Sequence, residues 1–278
     1  MTADAAFPES PRTLTDPLAE ALRVVDLADQ RGLQVRLIGG MAVRAHAPDW
    51  TARTRQTEVD LDFATRSRDR AAFFALLEAE GYLPDRRHNA LFGGTQGYFV
   101  DTARNRPVDV LVDKLQMCHR IDFADRLAVS KPTLPLAELV LSKLQVVKIN
   151  RKDVLDALVL LAEHPLGPDD GAPDARHGLG SISVPQVTSY TSADWGWWRT
   201  VTGNLGVLAH FLDGGGFVPA DLDIGSDRPV RFDPAAQVAG LMSAIDEAPK
   251  STRWNLRARV GERVRWYAEP EEVGHDNG

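Results

Sequence analysis

The run VDLDFA, residues 59–64, alternates apolar and acidic side chains with a period of two. That alternation reads as a β-strand. Val59, Leu61 and Phe63 face a core, and Asp60 and Asp62 stand together on the opposite face. Two like charges so close repel and raise each other's pKa. A cation between them removes the conflict, and hard oxygen ligands of this kind suit Mg²⁺, which takes one or two carboxylates plus substrate phosphates.

Upstream the chain reads LIGGMAV. Residues 34–38 form a short strand by pattern, Gly39-Gly40 a tight turn, and residues 41–47 a short helix stopped by Pro48. A double-glycine turn lets the backbone approach a phosphate closely, and the helix after it offers unpaired N–H groups to an anion. A third acid, Asp109, lies in the apolar run PVDVLV. A carboxylate there is costly without a partner. If its strand lies beside the Asp60 strand, three acids meet around one or two metal ions. Two ions would clamp the attacking and leaving oxygens of an in-line displacement at phosphorus.

The other elements follow the same signals. Residues 16–32 and about 68–80 read as amphipathic helices closed by Gly32 and Gly81. Residues 98–102 and 107–112 read as strands, with ARNR between them as a hairpin turn. Residues 134–150 and 152–163 read as two helices. The stretch 164–181 is rich in Gly, Pro and Asp, which marks a linker at 166–181. It separates a first domain, 1–165, from a helical C-terminal part, 182–278.

Charge and cysteine content exclude several classes. The net charge of −7 argues against a broad cationic surface for nucleic acid, but not against a local basic patch. A single cysteine, Cys118, leaves no internal disulfide and suits a reducing cytosol. No apolar run approaches the ~18 residues of a membrane span, and the polar, proline-bearing start lacks a signal-peptide core. The expectation is a cytoplasmic protein without membrane contact.

The combination of Gly39-Gly40, Asp60-x-Asp62 and Asp109 resembles the active-site pattern of the polymerase-β-type nucleotidyltransferases. The resemblance spans residues 37–112, with helical support to about 164. Within that superfamily the chain looks most like the AbiEii-type nucleotidyltransferases, which include toxins of toxin–antitoxin pairs. LSKLQVVKINRKDVLDAL resembles their basic-and-acidic segment downstream of the palm. RTRQTEVDLD is similar to the lead into the DxD motif of small antibiotic nucleotidyltransferases. The resemblance implies an α/β (α+β) palm, a mixed sheet flanked by helices, followed by a helical C-terminal part. It implies Mg²⁺-dependent transfer of an NMP from an NTP to an acceptor hydroxyl, with release of pyrophosphate. Asp60, Asp62 and Asp109 become metal ligands, and Asp109 also a base for the acceptor. Gly39 and Gly40 become the phosphate turn. Arg53, Arg55, Lys143, Lys148 and Lys152 become candidates for the triphosphate. The acceptor is RNA, such as a tRNA end, with an antitoxin protein as partner, or a small molecule of antibiotic type. A catalytically silent nucleotide-binding module is the alternative outside enzymes.

Other features have plainer readings. Asp113 reads as a strand-end residue. Cys118 and His119 are adjacent with no second pair at zinc spacing, and read as structural. Asp153 and Asp156 can pair with a neighbouring arginine. Trp195, Trp197 and Trp198 read first as packing and second as a stacking platform for an acceptor ring.

Overall fold

The computed structural model describes residues 12–48, 59–171, 180–214 and 231–269. The first half runs through helix α1 (Pro17–Gln30), strand β1 (Val35–Ile38), α2 (Gly39–His46), β2 (Leu61–Thr65), α3 (Ser67–Ala79), β3 (Leu83–Pro84), α4 (Arg86–Phe92), β4 (Gln96–Asp101) and β5 (Arg106–Val112). A small hairpin of β6 (Lys114–Gln116) and β7 (Arg120–Asp122) leads to α5 (Leu136–Leu144) and α6 (Arg151–Glu163). Then come β8 (Leu166–Gly167), β9 (Ile182–Ser183), α7 (Val184–Ala193), α8 (Trp195–Asp213), α9 (Pro234–Glu247) and α10 (Thr252–Ala258).

The architecture is mixed α/β, as the sequence predicts. Five strands form one sheet in the order β1-β2-β5-β4-β3. β2 and β5 are parallel, and the other neighbours are antiparallel. Burial alternates along β4 and β5 without a break. Val108, Val110 and Phe99 are fully buried, and so are Leu61 and Phe63 of β2. This face packs on α3 through edge-on ring pairs, Phe63–Phe73 at 5.6 Å and Phe74–Phe99 at 5.1 Å between centroids. The opposite face, carrying Asp62, Asp109 and Tyr98, is only half-buried. An antiparallel-rich sheet permits one wet face, and here it carries the acids.

Local chemistry sets the element ends. Asp16, Asp85, Asn150, Ser183, Asp194 and Asp233 each accept a backbone N–H as N-caps. The predicted hairpin is present, with β4 and β5 in register Tyr98↔Asp109 and the turn residue Asn105 at φ 49°. Asp113 ends β5 at φ 63°, and its carboxylate accepts the Ser67 N–H at 2.8 Å, capping α3 from a distance.

Several predicted boundaries need correction. The helix expected over 134–150 stops at Leu144. Asn204 of α8 donates to the carbonyls of Leu144 and Val146 at 2.8 and 2.9 Å, which satisfies the helix end and turns the chain. The helix expected from Met41 begins at Gly39, so the glycines open it rather than precede it. The DxD strand begins at Leu61, leaving Asp60 at its mouth. The glycine-rich stretch after α6 contributes β8, which pairs in parallel with β9.

One hydrophobic core runs through the described residues, from Val24 and Val25 of α1 to Leu205 of α8 and Leu241 of α9. Gln186 of α7 donates to the fully buried Glu138 of α5 at 2.8 Å, beside the Arg126–Glu138 ion pair at 2.7 Å.

Buried histidines tie these layers together. His46 at the end of α2 meets His164 edge-on, 4.8 Å between centroids. His119, in the β6–β7 turn, lies 2.8 Å from the Thr200 hydroxyl, which also accepts from Trp266 Nε1 at 3.0 Å. The Thr200 hydroxyl thus links the Trp266 indole and the His119 ring through one oxygen. Burial pulls His119 and His164 down to about 4 and His46 to about 3. The unfolded chain protonates them near ~6.5, so it binds more protons below that pH. Their contribution to stability is full above ~6.5 and falls as pH drops towards the folded values. Each fully buried histidine costs up to ~1.4 kcal/mol per pH unit in that window. The urea midpoint is expected to be lower at about pH 5 than at about pH 7.5; equal midpoints would contradict this account.

Candidate active site

The site is built on the half-buried face of the sheet. Asp62 of β2 and Asp109 of β5 are register partners on parallel neighbours. Adjacent strands lie ~4.8 Å apart, so the two carboxylates stand abreast. At ~5 Å and an effective dielectric of ~20, two full charges repel by roughly 3 kcal/mol. Gln96 Nε2 donates to Asp109 Oδ1 at 2.7 Å and fixes that carboxylate from β4. Tyr98 is the next register partner across the face. Burial, then the charges of Asp109, Asp60 and Asp85, push its phenol above the ordinary range. Asp60, exposed at the mouth of β2, therefore shares the same electrostatic field.

Gly39 brings backbone against this pair. β1 pairs Ile38 with Asp62, and the next residue, Gly39, turns the chain at φ 68° into α2. A Cβ built at Gly39 would lie 2.0 Å from Asp62 Oδ2. Only glycine tolerates both the left-handed backbone and that approach. α2 has no side-chain cap, so its first N–H groups point out of the helix beside Asp62. Gly40 is buried as the second residue of that turn.

Two adjoining cavities open here. One of about 200 Å³ is lined by Gly39, Asp62, Ser142, Lys143 and Asp153 among others. The other, about 730 Å³, is lined by Asp62, Asp109, Gln96, His88, Phe92 and further residues of the β6 region. Asp62, Leu111, Leu115 and Met117 border both. The combined space is of the size that small-molecule sites occupy.

Lys143 reaches the smaller cavity but is not a loose arm. Its Nζ lies 2.8 Å from Asp156 and 3.3 Å from Asp153, both on α6. The acids of that segment thus pair with a lysine ten and more residues back, not with the neighbouring arginine the sequence suggested. Lys148 and Lys152 are exposed and line neither cavity. Arg53 and Arg55 lie outside the described residues.

The donor set is hard oxygen, and Asp62, Asp109 and Asp60 fit Mg²⁺ by chemistry. Among the described residues, no group of three or more His, Cys, Asp or Glu side chains is close enough to hold an ion alone. The meeting of three acids expected from the sequence is thus not found among the described residues; Asp62 and Asp109 are the register pair, and Asp60 stands at the mouth of β2.

Gln96, Tyr98 and His88 are site residues that motif reading missed. Each is ordinary in sequence. The register of β4 and the cap of α4 at Asp85 bring them to the cleft. His88 Nε2 is buried there without a hydrogen-bond partner. Cys118 and His119 are structural, as expected: Cys118 is buried and free, and His119 stacks 4.8 Å from Trp197. The tryptophans pack among themselves, Trp195 against Trp266 at 6.0 Å and Trp198 against Trp254 at 5.4 Å. Arg199 pairs with Glu262.

No family model matches this chain, and no curated protein does. Among solved structures the chain is similar to the STING-associated CdnE c-di-GMP synthase from Capnocytophaga granulosa, at 12% identity over 87% of this chain and 81% of that one. The TM-score is 0.26, so the reading of this site rests on its own residues. Among the described residues no helix is long and apolar enough to cross a membrane.

Proposed function

We propose that this chain is a nucleotidyltransferase of the polymerase-β type, moving an NMP from an NTP to an acceptor hydroxyl. The observation that carries this reading is the pairing of Asp62 with Asp109 on the half-buried sheet face, with the Gly39 backbone pressed against Asp62. The α2 N-terminus and Gly39 receive the triphosphate, and Lys143 lies at the far wall of the same cavity. The acceptor enters the larger cavity, where Asp109 takes the proton from its hydroxyl. The acceptor oxygen forms a bond to the α-phosphorus as the bond to the bridging α–β oxygen breaks, and pyrophosphate leaves with that electron pair. Asp62 and Asp109, joined by Asp60 from the mouth of β2, would hold Mg²⁺ together with water and phosphate ligands, and the ion would supply charge neutralisation at the phosphates. Gln96 holds Asp109 in place for the proton transfer.

The AbiEii-like reading adds an RNA acceptor and an antitoxin partner; the antibiotic-type reading adds a small hydroxylated acceptor. Incubation with each α-labelled NTP, Mg²⁺ and total tRNA, beside an Asp60→Ala control, tests the first. Label is expected on RNA with the wild type alone. If RNA stays unlabelled, pyrophosphate release against hydroxylated antibiotics tests the second. No release with any acceptor would overturn the enzyme reading in favour of a silent nucleotide-binding module.

A further inference from the structure

The chain is acidic overall, yet one segment near its end is not. Between positions 250 and 266 stand Lys250, Arg253, Arg257, Arg259, Arg263 and Arg265 against a single acid, Glu262. Arg253, Arg257 and Arg265 line a cavity of about 440 Å³ with Asp194, Trp195 and Trp266. This cavity is separate from the two at the sheet face.

Arg257 organises it. Its guanidinium lies 4.8 Å over the Trp195 ring and donates to the backbone carbonyls of Gly261 and Val264, each at 2.6 Å. Those bonds fold the segment after α10 into a strap and hold a cation in fixed position. Arg253 and Arg265 are different: their side chains are 85% and 58% exposed. They meet Asp194 at 3.8 Å and Glu269 at 2.9 Å across the surface. Exposed pairs of this kind are weak and exchange readily for a phosphate oxygen, the better partner of a guanidinium fork.

The strap then runs to the cleft. Trp266 walls the cationic cavity, and Ala268 and Glu269 line the cleft that holds Asp62 and Asp109. The Ala268 N–H donates to the Cys118 carbonyl at 2.9 Å and pins this passage to the β6–β7 hairpin. Two residues span at most ~7 Å, so the cationic cavity and the acid-lined cleft follow one another along this passage.

We infer that the strap is a binding site for the phosphate backbone of a single-stranded nucleic acid, which presents its terminal hydroxyl to the cleft. The inference rests on the reading of the cleft given above and deepens it by naming the acceptor class. Spaced guanidiniums suit a repeating polyanion better than one small acceptor. Beside them the partly exposed Trp266 ring offers a surface to an unpaired base, whose face is free to stack, while Trp195 is buried beneath the Arg257 guanidinium.

The test is fluorescence anisotropy with a labelled single-stranded RNA of about 12 nucleotides, its DNA copy and the matching duplex, without NTP or Mg²⁺. The wild type is expected to bind the single strands with a linear dependence of log affinity on log salt. Arg253→Ala/Arg265→Ala removes two exposed cations and leaves the Arg257 anchor. It is expected to bind at least ~10-fold more weakly, with a salt slope smaller by ~1.4. Lys131→Ala, which removes an exposed cation that lines none of the three cavities, is expected to bind like the wild type. The stronger of the RNA and DNA signals names the sugar. No binding by the wild type, an unchanged slope in the double variant, or equal preference for the duplex would overturn the inference. Strap-dependent binding with no label transfer and no pyrophosphate release with any acceptor would keep the strap as a nucleic-acid site and remove the transferase reading. Transfer to RNA with an unaffected double variant would do the reverse.

Discussion

Asp109→Asn is expected to reduce NMP transfer by about 1,000-fold while leaving the protein folded, and Asp62→Ala to do the same. The asparagine keeps the shape of the side chain and can still accept the proton of Gln96 Nε2, now 2.7 Å from Asp109. It removes only the charge and the basicity. A loss of that size corresponds to about 4 kcal/mol of transition-state stabilisation, within the usual range for a preorganised electrostatic group. The fold does not depend on these carboxylates, because both stand on the half-buried face while Leu61, Phe63, Val108 and Val110 form the buried one. The melting temperature is therefore expected to change by only a few degrees. Both quantities are measured on the same preparation, with label transfer for activity and circular dichroism for stability. Undiminished transfer in either variant would remove that carboxylate from the mechanism.

Gly39→Ala is expected to lower activity at least ~100-fold, for a different reason. The added Cβ would sit 2.0 Å from Asp62 Oδ2 at a backbone φ of 68°. Backbone strain alone costs about 1–2 kcal/mol. The clash adds a forced rotation of the Asp62 side chain, and a displacement of about 1 Å at a reacting group costs about 100-fold. Gly32→Ala separates the two effects. Gly32 has φ 72°, but a Cβ added there would meet nothing within 4 Å, so it carries the strain without the collision. Both variants are expected to lose stability, Gly39→Ala the more, and only Gly39→Ala to lose activity. Equal activity in the two would mean that the close approach of Gly39 to Asp62 plays no part in catalysis.

Much of the fold was legible because it is written locally. The β4–β5 hairpin follows from two alternating runs and a polar turn, and α1 from Asp16, Pro17 and an apolar stripe. The errors fell where distant groups intervened. Nothing in LQVVKIN marks a helix end at Leu144; Asn204, sixty positions on, supplies the partner for its carbonyl. The pairing of Lys143 with Asp153 and Asp156 needed α5 and α6 to pack face to face, because the residues share no single helix. The arginines of the strap were visible as letters, but their alignment with the cleft depends on Ala268 meeting Cys118.

The sequence by itself determined which face of each strand carries an acid, because side chains alternate with a fixed period and apolar neighbours commit the other face to the core. It also placed a double-glycine turn ahead of α2; that Gly39 opens the helix against Asp62 is a fact of the structure. Only the tertiary structure decided that β2 lies next to β5, in the one register that sets Asp62 against Asp109. A slip of one residue would turn Asp109 into the core and Val108 or Val110 out of it. Burial of those valines therefore fixes the face that Asp109 occupies, and the observed pairing of β2 with β5 brings the two carboxylates together.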